Sequence, residues 1–177
     1  VAHAFDPTLC EVPTPVLNPK AQTQYATTKS HQTGDALLSG SGLRSQKAFT
    51  VRGRALVTDV PITYLGYVNR DTGVIEEPGH PLDGVAIADT VLVYPKGSGS
   101  TVAPYVLMGL IYTDLGPKAV VNRDICPLTL PACSLLGVPY GHGFGDDPCM
   151  SINSGDTVEF RRTEHGVELE VLERVAS

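Results

Sequence analysis

The residues best suited to chemistry lie in one short run, Lys96-Gly97-Ser98-Gly99-Ser100-Thr101. It follows the apolar stretch Val91-Leu92-Val93-Tyr94-Pro95 and precedes residues with helical apolar spacing up to Tyr112. A turn between the carboxyl end of a strand and the start of a helix presents free backbone N–H groups and the positive end of the helix dipole, so it favours anions. Gly97 and Gly99 let a ligand approach the backbone, and Ser98, Ser100 and Thr101 add hydroxyls. Ser100 or Thr101 is also expected to cap the helix, and Pro104 suits its first turn, where a missing donor costs little.

Spacing narrows the chemistry. A Walker phosphate loop places its lysine after the glycines, whereas Lys96 precedes them. Neither Gly97-Ser98-Gly99 nor Gly99-Ser100-Thr101 completes the Gly-x-Ser-x-Gly elbow of serine hydrolases. What remains is a hydroxyl in an anion-favouring turn. It can hydrogen-bond a substrate carboxylate or, once desolvated and assisted, exchange a proton.

The other polar groups read as local. His142, Asp146, Asp147 and Cys149 fall within "YGHGFGDDPC", but their irregular spacing among glycines suits a solvated loop, and no metal ligand is assigned. His80 in "GHPLDG" reads first as a loop hydrogen-bonder and second as a contributor to the site, and Asp156 in "SGDTV" as part of a turn. The cysteines Cys10, Cys126, Cys133 and Cys149 contain no CxxC pair, so structural zinc is not expected. Cys126 and Cys133 bracket "PLTLPA" and read as small buried hydrophobes.

The elements that must position the turn form a single domain in a chain of 177 residues. Residues 1–47 are rich in Thr, Gln, Ser, Pro, Gly and Asn without sustained periodicity and read as an extension, leaving 48–177 as the folded domain. Within the extension "DALLSGSGL" supplies a few apolar anchors, for this domain or for a partner. From Phe49 the pattern alternates like a strand; "VAIADTVLVYP", "PKAVVN" and "VPYG" read as strands, with helices over "TVAPYVLMGLIYTDLG" and "LTLPACSLLG" between them. That β-α-β-α-β order predicts a parallel sheet flanked by helices. "SGDTVEFRR" and "HGVELEVLERV" predict a closing hairpin with Glu164-His165-Gly166 in its turn. The class is therefore α/β with a mixed sheet.

A net charge of -6 with no basic cluster argues against nucleic acid as a partner. The apolar window Ala103–Tyr112 is too short to cross a membrane, and the first residues lack a signal pattern, so a cytoplasmic protein is expected.

The segments "GRALVTDVPI", "GYVNRDTGVI", "HPLDG" and "YPKGSGST" together resemble the small-subunit or swivel domain of the aconitase X family, with similarity from about Val51 to Val171. The resemblance implies a swivelling β/β/α fold paired with a large catalytic subunit or domain. That partner, not this chain, would hold an iron–sulfur cluster. It also implies dehydration of a hydroxy acid, either cis-3-hydroxy-L-proline or mevalonate 5-phosphate. The swivel of aconitase contributes a serine base from a Gly-Ser-Ser motif, and Gly99-Ser100-Thr101 matches it, so Ser100 becomes the expected catalytic residue. Lys96, Gly97, Ser98, Gly99, Thr101 and His80 are the expected substrate-binding residues. Where aconitase follows with Arg-Glu this chain has Val102-Ala103, so an arginine for the substrate carboxylate is expected from the partner. The phosphohistidine swivel of phosphoenolpyruvate enzymes is disfavoured, because Val102 stands where it needs histidine. Sparse Lys/Glu pairing suggests an ordinary bacterial protein and, with it, hydroxyproline over the phosphate ester. The rival class is a ligand-binding swivel module that has lost its chemistry.

Overall fold

The computed structural model describes residues 36–175. Along them run β1 (Leu37–Gly42), β2 (Thr50–Val57), β3 (Ile62–Thr63), β4 (Val91–Tyr94), β5 (Gly97–Ser98), α1 (Ala103–Tyr112), β6 (Ala119–Asn122), α2 (Leu130–Leu136), β7 (Tyr140–His142), the single turn α3 (Pro148–Ser151), β8 (Thr157–Arg162) and β9 (Val167–Glu173). A further turn at Tyr64–Tyr67 is kinked at Leu65 and Gly66.

Every residue of β4 and β6 is buried, as expected of parallel strands covered on both faces. Alternate side chains part company. Ala55, Val57, Val91, Val93, Ala119 and Val121 point to one core together with Val158, Phe160, Val167, Leu169 and Val171. Leu56, Leu92, Tyr94, Val120 and Tyr140 point to another, shared with α1, α2 and the excursion from Tyr64 to Ile87. The period-2 alternation thus makes two cores from one sheet.

The sheet closes. Strand order is β1-β7-β6-β4-β2-β8-β9, and β1 also pairs with β9 to complete a barrel whose interior is the first core. The run β2-β4-β6-β7 is parallel, with Leu56 opposite Leu92 and Leu92 opposite Val120. The remaining pairings, including the β8–β9 hairpin, are antiparallel. On the outer face of that hairpin Arg161 pairs with Glu159, Glu168 and Glu170, and Arg52 pairs with Glu159. Hydrogen bonds from Arg52 and Arg161 hold the Glu159 carboxyl below its ordinary pKa. One half of the barrel is therefore sheathed by helices and the other by a charged surface.

The predicted helices, the parallel β-α-β-α-β order and the final hairpin are all present. The reading of residues 1–47 differs from the structure at its end, because Leu37–Gly42 forms the strand that closes the barrel. Its Leu38 is buried in the barrel core and Leu43 packs on the outer core, so the apolar anchors of this segment lie on this domain. A Ser-Gly strand carries little hydrophobic alternation. Gly40 is nonetheless required by packing, since a Cβ there would sit 2.7 Å from Phe144 Cδ1. Among the described residues no helix is long and apolar enough to cross a membrane.

Candidate functional site

Three loops leave the carboxyl ends of β2, β4 and β6 and are tied together by backbone hydrogen bonds. Thr58 N–H donates to Val93 O at 3.0 Å, Arg123 N–H to Tyr94 O at 3.2 Å, and Asp124 N–H to Pro95 O at 3.1 Å. Beyond them β3 and β5 add a short parallel pair, with Ile62 opposite Gly97 and Thr63 opposite Ser98. The Lys96–Thr101 run therefore starts as a strand and becomes a turn only at Gly99. There φ is +90, and Thr63 Cγ2 lies 3.1 Å from the place a Cβ would take, so glycine is needed on both counts.

Ser100, Thr101 and Lys96 are exposed, Ser98 is half-buried and Gly97 is buried. The Lys96 carbonyl accepts the Ile62 N–H at 3.3 Å, and Lys96 itself is exposed. Ser100 sits at the entrance to α1: its carbonyl accepts Ala103 N–H at 2.9 Å, and its Oγ lies 3.4 Å from Val102 N as a weak acceptor. Neither Ser100 nor Thr101 caps the helix as expected. The N-cap is Val102, already helical at φ -90 and ψ -2, with no side-chain hydrogen bond. In the first turn of α1 Ala103 N–H is given to Ser100 O and Tyr105 N–H to Val102 O at 3.1 Å, Pro104 has no N–H, and the Val102 N–H is the one that faces the Ser100 hydroxyl.

Beneath the turn lies a buried polar chain that the sequence reading missed. Tyr64 Oη is 2.8 Å from Tyr94 Oη, Tyr94 Oη is 2.9 Å from Thr129 Oγ1, and Thr129 Oγ1 donates to Cys126 Sγ at 3.3 Å. The same sulfur accepts the Gly97 N–H at 3.1 Å, so that N–H is not free for a ligand. Tyr140 Oη accepts the Cys126 N–H at 3.1 Å, and Asn122 Nδ2 donates to Tyr94 O at 3.2 Å. Burial pushes the Tyr64, Tyr94 and Tyr140 hydroxyls well above their ordinary pKa, and burial, then neighbouring Cys126, pushes the Cys133 thiol up to about 12. These hydroxyls remain neutral and serve as hydrogen-bond links. Their signal in the sequence was slight: Tyr94 reads only as part of an apolar strand, Cys126 as a small hydrophobe, and Tyr64 carries no signal of its own.

His80 belongs to another loop. It is buried, its Nδ1 accepts Leu82 N–H at 3.0 Å, and its backbone bonds run to Glu77 and Asp83. The Leu82 contact places the imidazole hydrogen on Nε2, which is buried without a partner in the described structure. No hydrogen bond ties His80 to the Lys96–Thr101 turn among the described residues.

The glycine-rich loop after β7 is likewise local. Asp147 caps α3 through Cys149 N–H at 2.9 Å and pairs with Arg123 at 3.2 Å; His142 stacks beside Tyr140, and partial burial lowers its pKa. Asp156, expected to act only within its turn, does accept from Asn153 N–H there, but, fully buried, it also accepts from Arg174 and from Val175 N–H and so ties the turn to the segment after β9. Among the described residues no three His, Cys, Asp or Glu side chains are grouped to hold a metal. The described cysteines do not suit an iron–sulfur cluster. Cys126 Sγ is occupied by two donors, and Cys133 and Cys149 lie in different cores.

Comparison with known proteins agrees with this geometry. The small subunits named phosphomevalonate dehydratase from Methanococcoides burtonii and Methanocella arvoryzae are 34% and 36% identical over 117 residues, which is 66% of this chain and 85% and 89% of theirs. The crystal structure of Thermococcus kodakaraensis aconitase X in its holo-form superposes with a TM-score of 0.69 at 26% identity, covering 78% of this chain and 99% of that one. Residues 43–169, which hold all three converging loops, match the family described as "Aconitase X swivel domain", and the chain belongs to that family.

Proposed function

We propose that this chain is the small subunit of an aconitase X-type dehydratase, a hydro-lyase that removes water from a hydroxy acid together with a large subunit. One observation carries the reading: Ser100 stands exposed on a braced turn at the carboxyl ends of parallel strands, inside the matched region, without a titratable side chain hydrogen-bonded to it. A serine so placed needs a second surface to work. The relatives' description as small subunits supports such a partner.

Dehydration removes a carbon-bound proton and a hydroxyl from neighbouring carbons, forming the double bond between them. Ser100 Oγ, as alkoxide, accepts the carbon-bound proton, and the C–H electron pair becomes the double bond. The hydroxyl departs with its C–O pair to be protonated to water on the large subunit's side, and Ser100 then passes its proton on to restore the base. A free serine hydroxyl is far too weakly acidic for this at neutral pH, so the alkoxide must be stabilised by the Val102 N–H beside it, by the positive end of the α1 dipole and by exclusion of water. Closure of the large subunit over the exposed turn supplies that exclusion. Ser98, half-buried one step before Gly99, and the ammonium of Lys96 bind substrate oxygens, with Thr101 and the Gly99 backbone lining the mouth, whereas His80, buried in a separate loop and bonded to Leu82, is not assigned to the mouth. Gly97 contributes by being held in place. The iron–sulfur cluster belongs to the large subunit, and cytoplasmic residence completes the reading.

Composition pointed to cis-3-hydroxy-L-proline, but the names of the aligned relatives point to mevalonate 5-phosphate, and we place the phosphate ester first. The test is to assemble this chain with its large subunit and measure turnover of both compounds side by side. Turnover of mevalonate 5-phosphate is expected. Turnover of hydroxyproline alone reverses the substrate choice, and turnover by this chain unaided overturns the subunit reading.

A further inference from the structure

Thr129 has a single hydroxyl hydrogen, and it is given to Cys126 Sγ at 3.3 Å. Tyr94 Oη, 2.9 Å from Thr129 Oγ1, must then donate to it, and Tyr64 Oη, 2.8 Å from Tyr94 Oη, must donate in turn. The chain has one direction and ends on sulfur. Cys126 is 1% exposed; its sulfur also accepts the Gly97 N–H at 3.1 Å, while its backbone N–H is held by Tyr140 Oη. Gly97 is buried against Leu128, Thr129 and Cys126, where water cannot replace a lost partner.

We infer that Cys126 is a positioning residue for the Ser100 turn, acting as the acceptor that fixes the Gly97 N–H and ties the loop after β6 to the loop after β4. The inference rests on the proposed role of Ser100. Its physical basis is that α1 has no side-chain cap, so the turn is held from its strand end. Two residues, Ser98 and Gly99, separate Gly97 from Ser100, and a shift at the first is carried to the second. Small displacements of a proton-transfer group cost rate more than they cost affinity. A cysteine retained only as core filling would bear on stability and leave the turn's geometry to other contacts.

The experiment uses the full chain assembled with its large subunit and compares wild type, Cys126→Ala and Cys126→Ser. Hydrogen exchange at the Gly97 amide and the separate values of kcat and KM are measured. Cys126→Ala is expected to speed Gly97 exchange by about 10-fold or more and to lower kcat by about 10-fold with KM within about 2-fold. Cys126→Ser, which keeps an acceptor, should recover most of both. If Cys126→Ala does not assemble, Cys126→Val replaces it, filling the volume while still removing the acceptor. Unchanged Gly97 exchange overturns the inference, as does faster exchange with unchanged kcat, or equal loss in the serine and alanine variants. A wild-type complex without dehydratase activity overturns the proposed function instead, and the exchange rates still decide whether Cys126 holds the turn.

Discussion

Ser100 and Ser98 are two residues apart yet stand in different surroundings. Ser98 is the last residue of β5, half-buried and paired opposite Thr63, whereas Ser100 is exposed past the left-handed Gly99 and beside the open start of α1. Only Ser100 has its Oγ beside a backbone N–H at the start of α1, that of Val102 at 3.4 Å, where the positive end of the helix can stabilise an oxyanion. Ser100→Ala is therefore expected to leave folding and subunit assembly intact and to lower turnover on the order of 10²-fold or more, the scale for loss of a positioned proton-transfer group. Ser98→Ala should act mainly on KM. Steady-state kinetics of both variants in the assembled enzyme provide the check: a KM effect alone at Ser100 with lost turnover at Ser98 exchanges the roles, and no effect at either assigns the base to the large subunit. The location of this turn was legible in the sequence because glycine, serine and the strand-to-helix change coincide there. Its capping was not, because cap preference is a local propensity and the register of β5 against β3 shifts the start of α1 past both hydroxyls.

At the scale of elements, the loops after β4 and β6 work as one unit because buried hydroxyls join them. Direction sets the energetics. Tyr94 is both donor and acceptor in the chain, so Tyr94→Phe strands the Tyr64 hydroxyl and removes the donor to Thr129. Tyr64→Phe deletes only the terminal donor. The expected loss of stability is about 2 kcal/mol or more for Tyr94→Phe and about 1 kcal/mol for Tyr64→Phe, since an unsatisfied buried group costs more than a net hydrogen bond contributes. Denaturant unfolding of the two single variants checks the order, and a larger loss at Tyr64 contradicts the assigned direction. The strand carrying Tyr94 follows from its apolar run and could be read, whereas the kinked turn carrying Tyr64 has no hydrophobic period to reveal it. The chain of hydroxyls could not be read, because its members are spread from residue 64 to residue 129 and meet only after β2, β4 and β6 have aligned.

For the whole molecule, what makes the site rigid is closure of the barrel below it. The parallel strands that bear the loops are held at one edge by β8 on β2 and at the other by β1 on β7, and β1 joins the two ends by pairing with β9. Closure leaves no open edge in this sheet and encloses the core of β-branched and aromatic side chains. The sequence reveals the parallel half through its continuous apolar runs and the hairpin through its alternation. It conceals the closing strand, because Leu37–Gly42 contributes one buried leucine and otherwise packs backbone and glycine against Phe144 and the β8–β9 hairpin. That strand is where global stability should be most sensitive outside the parallel core. Leu38, 4% exposed, buries its side chain in the barrel, so Leu38→Ala is expected to cost about 2–3 kcal/mol. A chain beginning at Leu43 loses that leucine and both ladders of β1 as well, exposing the edges of β7 and β9. Its unfolding midpoint should fall further than that of Leu38→Ala, with a tendency to associate through the new edges. Denaturant unfolding with light scattering tests this: if the shortened chain unfolds at the midpoint of the full chain and stays monomeric, β1 does not close the barrel in solution. If only the midpoint of Leu38→Ala is preserved, closure rests on the backbone ladders rather than on the buried leucine.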